Sequence, residues 1–343
     1  MVNKVMKEEV QTTKNRLVSA FEKQLLKFTC HVCNIKHQYR SIKFIKENIR
    51  IDEILLHMDF SENYSCKYTQ EVQSLHFGGS RNQVSLHTSV LYYSKDGTVQ
   101  SVPFCTISRD YRHNNVAICA HLTPVIKKFK NIVPNLNKIH FVSDGSSNQY
   151  RNRKIFVLAA TFLAKLEKIK ILHWHFLEAG HGKGAPDGAG GCLKRTADGI
   201  VARGIDIPNI DVLIDQLKIN CKGVNIFRVA SAEIDDCDKM EVTLPSLTGI
   251  LRAHQISWTK EENLIQVRRL TCTMCLADQQ CHHYTISQIL IKAKDSGDSD
   301  DEHIMDTNIK KRRLCYSEVY SDTSDSDNSS SMQNYFNDCL KKP

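Results

Sequence analysis

Three β-rich segments follow one another with no helical pattern between them, and this order constrains the fold more than any other feature. They are residues 51–60 (IDEILLHMDF), 83–93 (QVSLHTSVLYY) and 99–107. Asp96-Gly97, between the second and third segments, is a dipeptide typical of a two-residue hairpin turn. The sequence therefore predicts three consecutive antiparallel strands, the last two of them joined by a tight hairpin.

Helical and strand patterns then alternate to about residue 203. The predicted elements are a helix over 114–129 with a break or kink at Pro124, a strand over 138–144, a helix over 149–169, a strand over 170–178 and a helix over 187–203. The order β-β-β-α-β-α-β-α predicts an α/β fold with a mixed sheet and helices on both faces. It is also the element order of the ribonuclease H-like fold. The last strand alternates apolar residues with histidines, which is typical of an edge strand with one solvated face.

The remaining segments divide the chain into four predicted regions. A helical N-terminal segment covers residues 1–50, with helical spacing over 8–28 and 39–49, and precedes a catalytic-type core over 51–205. A C-terminal extension covers 206–290. The Ser/Asp-rich tail over 291–343 is low in apolar residues, and we expect it to be disordered.

Charge favours a polyanionic partner. The formal net charge is +8 although the tail is acidic, so the rest of the chain is more basic than this number indicates. We therefore expect DNA as a partner. The run Lys310-Lys311-Arg312-Arg313 resembles a nuclear localisation signal, and we expect a nuclear protein.

Two observations bear on the compartment. The polar N-terminus has no apolar segment of a signal peptide, and no apolar run approaches the roughly 18 residues of a membrane span, so we expect no membrane association. The 13 cysteines are an odd number without a disulfide-like spacing. They indicate reduced thiols in the cytosol or nucleus, with a metal site among them as one use.

Acidic residues stand at the ends of two predicted strands and at the start of a helix. Asp59 and Asp144 end the first and fourth strands, which bring their carboxylates together if the strands are neighbours. Two adjacent negative charges are costly without a cation, so the pair predicts a site for Mg²⁺ or Mn²⁺. Asp187 at a helix start is the preferred third ligand, and Glu178 at the end of the fifth strand is its competitor. The alternative is structural: a turn aspartate and a helix cap.

The segment 181–191 (HGKGAPDGAGG) has five glycines in eleven residues. Its N–H groups can approach a phosphate closely, although it is not a Walker loop. His181 is a candidate for moving a proton or binding a metal, or else a solvated loop residue. The predicted nucleic-acid contacts share a polar or basic side chain near the glycine segment or the start of the preceding helix; they are Lys183, Lys194, Gln149 and Arg151. Simple helix capping is the alternative for Gln149 and Arg151.

Two groups of cysteine and histidine have metal-ligand spacing. Cys272, Cys275, Cys281 and His283 offer four ligands within twelve residues, with His282 as the alternative histidine, and they suit tetrahedral Zn²⁺. A second group, Cys30, Cys33 and His37, offers three ligands and needs a fourth from elsewhere. The alternative for both groups is a set of ordinary thiols.

Four motifs in order resemble transposon-derived animal proteins of the DDE-transposase type, over roughly residues 38–203. They are DFSENY, QVSLHTSVLYY, SDGSSNQYRNRK and EAGHGKGAPDGAGGCLKR. The resemblance implies a ribonuclease H-like core that cleaves and joins DNA with two Mg²⁺ ions held by Asp59, Asp144 and the third acid. One ion would activate water or a 3′-hydroxyl, and the other would stabilise the leaving oxygen.

Two departures from that pattern keep other functions open. Such transposases carry a DNA-binding region before the core, where this chain has about fifty residues, and the third acid is not a glutamate in the closing helix. A fragment, a decayed copy and a domesticated protein all fit. The leading hypothesis is a nuclease and strand transferase, with a homodimer as one possible assembly. The competing hypotheses are a non-catalytic nuclear protein that binds DNA or protein on the same fold, and a ribonuclease or exonuclease.

Overall fold

The computed structural model describes residues 9–70, 82–240, 247, 249–275 and 281–291. Contacts divide the chain into two units, one of residues 1–34 with 293–343 and one of residues 35–292. Residues 292–343 lie outside the described part, and with them nearly all of the expected disordered tail and the basic run 310–313. No helix of the described residues is long and apolar enough to span a lipid bilayer.

The first unit is described only from residue 9, and it contains the start of helix α1 (Lys14–Glu47). Several large apolar side chains of this part are exposed, among them Leu17, Phe21 and Phe28. The two helices predicted over 8–28 and 39–49 are one continuous helix, so the predicted break between them is wrong. Nothing in the intervening segment stops a helix, because it contains neither proline nor glycine.

The second unit is built around one nine-stranded sheet. Its strands are β1 (Glu53–Ser65), β2 (Gln83–Lys95), β3 (Thr98–Ser108), β4 (Lys138–Ser143), β5 (Ile171–Phe176), β6 (Asn225–Val229), β7 (Gln255–Thr259), β8 (Leu264–Arg268) and β9 (Thr285–Leu290). Their order across the sheet is β6-β3-β2-β1-β4-β5-β7-β8-β9.

The centre of this sheet, β3-β2-β1-β4-β5, has the ribonuclease H-like arrangement. Strand β2 is antiparallel to both neighbours, while β4 pairs parallel with β1 and with β5. The mixed α/β fold and its element order, predicted from the sequence, are confirmed. The predicted hairpin is present as well: Asp96 and Gly97 have φ of 51° and 73°, the left-handed pair that a two-residue turn requires.

The region after residue 205 extends the same sheet at both edges. Strand β6 pairs parallel with β3, and β7 pairs antiparallel with β5, followed by β8 and β9. Strand β5 is therefore internal, and the predicted edge position is wrong. Its histidines, His173 and His175, are buried beside His140 of β4. The alternation reflects one apolar face and one polar face, both covered.

Helices cover the two faces of the sheet. They are α2 (Asn115–Ile132), α3 (Arg153–Leu158), α4 (Ala164–Leu166), α5 (Ala185–Ala202), α6 (Ile210–Asn220) and α7 (Ser231–Asp238). Helices α2, α3 and α4 pack on the large apolar core with β1 and β4, and α5 and α6 pack on the opposite face. Helix α2 continues through Pro124, so the predicted break does not occur.

The helix predicted over 149–169 begins later than expected. Asn152 caps α3 by accepting the N–H of Ile155 at 3.0 Å. A π-helical turn, Ala159–Leu163, joins α3 to α4. Residues 149–151 instead form turns whose N–H groups bond to the carbonyl of Ser146, so Gln149 and Arg151 do not open the helix.

Candidate functional site

Asp59 and Asp144 meet where the β1–β4 pairing ends. The parallel pairs run from Glu53 with Lys138 to His57 with Val142, a constant offset of 85 residues. The same offset two residues further places Asp59 beside Asp144. Asp59 is inside β1 rather than at its end, because β1 continues to pair with β2, where Asp59 lies opposite Thr88. The prediction about the strand end is wrong, yet Asp59 lies beyond the last residue of β1 that β4 covers.

The electrostatics of this pair resemble those of a cation site. Burial, together with the negative charges of Asp144 and Asp187, raises the pKa of Asp59 to about 7, and the hydrogen bond from the N–H of Phe60 opposes this rise. Burial also raises the pKa of Asp144, opposed by the Ser146 N–H and by Arg151. A cation between these carboxylates would relieve the repulsion and the desolvation together.

Asp187 stands in the first turn of α5 and is exposed. Its Oδ2 accepts the N–H of Gly184 at 2.7 Å, as a capping residue does. Its charge reaches Asp59 and His57. Of the two candidates for the third acid, Asp187 is thus the one whose charge contributes to the raised pKa of Asp59.

Glu178 has another partner. Its Oε2 is 2.6 Å from Nε2 of His254, whose Nδ1 donates to the carbonyl of Arg269 at 2.7 Å. The pair is largely buried. Glu178 therefore links the end of β5 to the segments around β7 and β8.

Three glycines let α5 and the loop before it lie close to the carboxylates. A Cβ on Gly182 would be 2.7 Å from Cβ of Asp144, and one on Gly184 would be 2.4 Å from the His57 ring. A Cβ on Gly190 would be 2.7 Å from Oγ of Ser61. None of these glycines has a left-handed φ. They are required here for close approach, which places the positive end of α5 beside the acids.

His57 is a site residue that the sequence analysis missed. It precedes Asp59 by two residues and therefore lies on the same face of β1. Burial lowers the pKa of His57 to about 4, against the charge of Asp187. Its Nε2 is buried and makes no hydrogen bond within the described part of the chain. The two-residue period through His57, Asp59 and Ser61 is the signal that could have identified it.

The predicted nucleic-acid contacts lie in three places. Lys183 is exposed in the glycine loop. Lys194 of α5 lies 3.9 Å from the carboxylate of Glu62. Arg151 is half-buried, and its positive charge interacts with the carboxylates of Glu178 and Asp144. Its guanidinium also donates to the carbonyl of Ala253 at 3.4 Å.

Two further predicted residues lie near these. Gln149 is partly buried in the turn after Asp144. His181 is exposed, and its carbonyl accepts the hydroxyl of Tyr39 at 2.7 Å. Lys183 and His181 are the accessible members of the predicted set that the glycine loop carries.

The second candidate metal site is the group Cys272, Cys275, Cys281 and His283. Their ligand atoms all lie within 4.8 Å of one another, so the four residues predicted from spacing do converge. No other group of three or more potential ligands within residues 9–70, 82–240, 247, 249–275 and 281–291 meets this distance. His37 of the first cysteine group instead bonds to the carbonyl of Thr271 at 2.7 Å.

The three aspartates do not meet that distance as a set. The Asp187 carboxylate is engaged by the Gly184 N–H. Asp59 and Asp144 fit a divalent cation by their donor type and their raised pKa values.

The fold and the carboxylates together define a mixed α/β protein with a ribonuclease H-like sheet and acids at the site between β1, β4 and α5. Residues 38–271 match the family described as "Domain of unknown function (DUF8701)", and the chain belongs to this family. No curated protein matches the chain.

Among solved structures, the chain is similar to the human cytomegalovirus terminase nuclease domain, soaked with Mn and with an inhibitor bound. The identity is 11%, the match covers 55% of this chain and 70% of that chain, and the TM-score is 0.21. A likeness at this TM-score supports no argument, so the fold assignment rests on the strand order.

Proposed function

We propose that this protein is a transposase-derived nuclease and strand transferase that acts on DNA phosphodiesters through a divalent-metal carboxylate site. The observation that carries the proposal is the pair Asp59 and Asp144, brought side by side by the β1–β4 register. Burial raises the pKa of both carboxyl groups, and repulsion by the neighbouring acids adds to it at Asp59; a cation would offset both costs.

The two candidate metal sites differ in donor chemistry. The carboxylate oxygens of Asp59, Asp144 and Asp187 suit Mg²⁺ or Mn²⁺, whereas three thiolates and an imidazole suit Zn²⁺. A bound Mg²⁺ pair would activate the attacking hydroxyl and stabilise the leaving oxygen. The three aspartates would hold the ions, and the charge of Arg151 near Asp144 would limit the net negative charge that a phosphate meets.

Substrate binding is proposed for the exposed surface of the glycine loop. Lys183 and the N-terminus of α5 present positive charge next to the acids, which suits a phosphate backbone. DNA is the proposed partner and the nucleus the proposed location, on the net charge of +8 and the basic run 310–313. A homodimer is the proposed assembly if both strands of a duplex are cut.

The test is Mn²⁺ titration by calorimetry together with cleavage of supercoiled plasmid, for the wild type, Asp59→Asn and Asp144→Asn. Asp96→Asn, at the tip of the β2–β3 hairpin, is the matched control. We expect either site variant to abolish Mn²⁺ binding and to reduce nicking by about 10³-fold, with the control unchanged. Nicking that survives in both site variants would refute the proposal.

One observation favours a second candidate, a non-catalytic DNA-binding protein on the same fold. The carboxylate of Asp187 is held by the Gly184 N–H, away from the role of a third ligand. Salt-dependent DNA binding by a wild type that neither binds Mn²⁺ nor nicks plasmid would support this second function.

A further inference from the structure

The Cys/His cluster has the dimensions of a tetrahedral metal site. Nδ1 of His283 is 3.7 Å from Sγ of Cys272 and 3.2 Å from Sγ of Cys275, and all four ligand atoms lie within 4.8 Å of one another. Zn–S bonds of about 2.3 Å and Zn–N bonds of about 2.0 Å place neighbouring ligand atoms roughly 3.5–3.8 Å apart. The four side chains are therefore already grouped around one position.

One backbone group and one side chain donate hydrogen bonds to Cys281. The N–H of Tyr284 donates to Sγ of Cys281 at 3.4 Å, and the hydroxyl of Thr285 donates to the Cys281 carbonyl at 2.6 Å. Donors to a ligating sulfur orient it and stabilise its thiolate form. Such contacts are expected around a resident metal.

A buried cation lies next to the cluster. Arg268 has 0% exposure and donates to the neutral amide oxygens of Gln255 and Gln266. Oε1 of Gln255 also accepts the N–H of Cys272 at 2.9 Å, so this residue connects Arg268 to the cluster. Zn²⁺ with three thiolates and a neutral imidazole carries one net negative charge, which a nearby guanidinium stabilises.

We infer that Cys272, Cys275, Cys281 and His283 form a structural zinc centre, that Arg268 balances its charge, and that the centre holds α1 and the glycine loop in place. Thr271 and Gln38 join the cluster to α1. Thr271, next to Cys272, donates its N–H to Oε1 of Gln38 at 2.9 Å, and its Oγ1 accepts Nε2 of Gln38 at 3.1 Å. Gln38 is fully buried and also donates to the carbonyl of Phe176.

The next residue of α1 reaches the loop at the carboxylates. The hydroxyl of Tyr39 donates to the carbonyl of His181 at 2.7 Å, and the neighbouring Gly182 lies against Asp144. The zinc centre, Gln38, Tyr39 and the glycine loop thus form one line of contacts. The role of the zinc centre in positioning the loop beside the catalytic acids rests on the proposed function, whereas the zinc centre itself does not.

The experiment measures metal content, not activity. The full chain is purified without added metal and its zinc is measured by inductively coupled plasma mass spectrometry, for the wild type, Cys275→Ser and His283→Cys. Cys192→Ser, an exposed cysteine of α5, is the matched control. We expect about one zinc per chain in the wild type, the control and His283→Cys, and loss of zinc in Cys275→Ser.

Two further readouts protect against a variant that fails to fold. Replacement of zinc by Co²⁺ in the wild type should produce a thiolate-to-cobalt absorption band, and the band should change in His283→Cys. Hydrogen exchange of residues 178–184 should become about tenfold faster when zinc is removed from the wild type, because the line of contacts that holds the glycine loop is then broken.

The contrary outcomes are separable. A wild type without zinc and without a cobalt band, or with a disulfide among the three cysteines by mass, overturns the zinc centre. Unchanged hydrogen exchange in residues 178–184 overturns the inference that the zinc centre holds the glycine loop in place. A wild type that holds zinc and cuts no DNA refutes the proposed function alone.

Discussion

The two candidate metal sites of this protein are assembled in opposite ways. Cys272, Cys275, Cys281 and His283 lie within twelve residues of sequence, and their ligand atoms are already grouped. Asp59, Asp144 and Asp187 are spread over more than a hundred residues, and only the sheet register and the start of α5 bring them into one region.

The electrostatic consequences differ too. The Cys/His cluster is connected through Gln255 to a buried cation, Arg268, and one backbone N–H donates to the sulfur of Cys281. The carboxylates repel one another, and the pKa of Asp59 is raised to about 7. The preformed Cys/His site, with thiolate ligands, is suited to retaining its metal. The carboxylate site, whose acids repel one another, is suited to exchanging a metal during a reaction.

The largest expected effect is a difference in metal retention. Because thiolates bind Zn²⁺ far more tightly than carboxylates bind Mn²⁺, we expect at least a ~10³-fold difference in affinity between the two sites. Dialysis against a mild chelator, followed by metal analysis, should remove Mn²⁺ and leave zinc. Loss of both metals at the same chelator concentration would contradict the contrast.

The second effect concerns the close approach of α5. Gly184→Ala places a Cβ against the buried His57 ring, so we expect a loss of about 2–3 kcal/mol in the free energy of unfolding. Gly188→Ala is the control, since nothing lies within 4 Å of its Cβ position, and it should be neutral or stabilising. Urea denaturation measures both. Equal stabilities for the two variants would show that α5 can move away from the sheet.

The third effect distinguishes the two candidate third acids. Asp187→Asn should weaken Mn²⁺ binding about tenfold, since it removes a charge that acts on Asp59. Glu178→Gln should leave Mn²⁺ affinity unchanged and lower stability by about 1–2 kcal/mol, because the charge-assisted bond to His254 is lost. Calorimetry and urea denaturation give the two quantities, and the reverse pattern would assign the third ligand to Glu178.

The smallest effect is a pH dependence of stability without divalent metal. The pKa of Asp59 is about 7 in the fold and 3.8 ordinarily, so between these values the folded state keeps a proton that the unfolded state has released. Stability should therefore fall as pH rises from about 4 to about 7, by on the order of 1 kcal/mol after solvent screening.

The matched variant for this effect is Asp59→Asn, which should remove that part of the slope. Urea denaturation in a chelating buffer at about pH 5 and about pH 8 measures it. With Mn²⁺ present the wild type should instead gain stability as pH rises, because binding requires the carboxylate. Identical slopes of stability against pH for wild type and variant would mean that folding does not raise the pKa of Asp59.

Much of the fold was accessible from local patterns. The consecutive strands, the Asp96-Gly97 hairpin and the alternation after residue 114 predicted the mixed sheet, and the structure confirms it. What failed were the limits of elements. The extent of β1 and the internal position of β5 depend on strands that pair from elsewhere in the chain. The continuity of α1 is a local property that the prediction from sequence divided in two.

The site was accessible in part. Asp59, Asp144 and Asp187 were identified because acids at strand and helix ends stand out against apolar runs. His57 and Gln38 were not, because each is buried by a partner distant in sequence, α5 for His57 and the Thr271 segment for Gln38.

The sequence by itself determined the candidate ligands of both sites, with Asp187 and Glu178 as alternatives for the third acid, their chemical type and the order of strands that carries the acids. The tertiary structure decided which acids meet and which are engaged elsewhere: the β1–β4 register places Asp59 beside Asp144, and His254 holds Glu178. The physical reason is the distance along the chain over which each kind of signal acts. Spacing and periodicity report contacts within a few residues, whereas pKa shifts, buried ion pairs and close packing arise only after distant segments exclude water from one another.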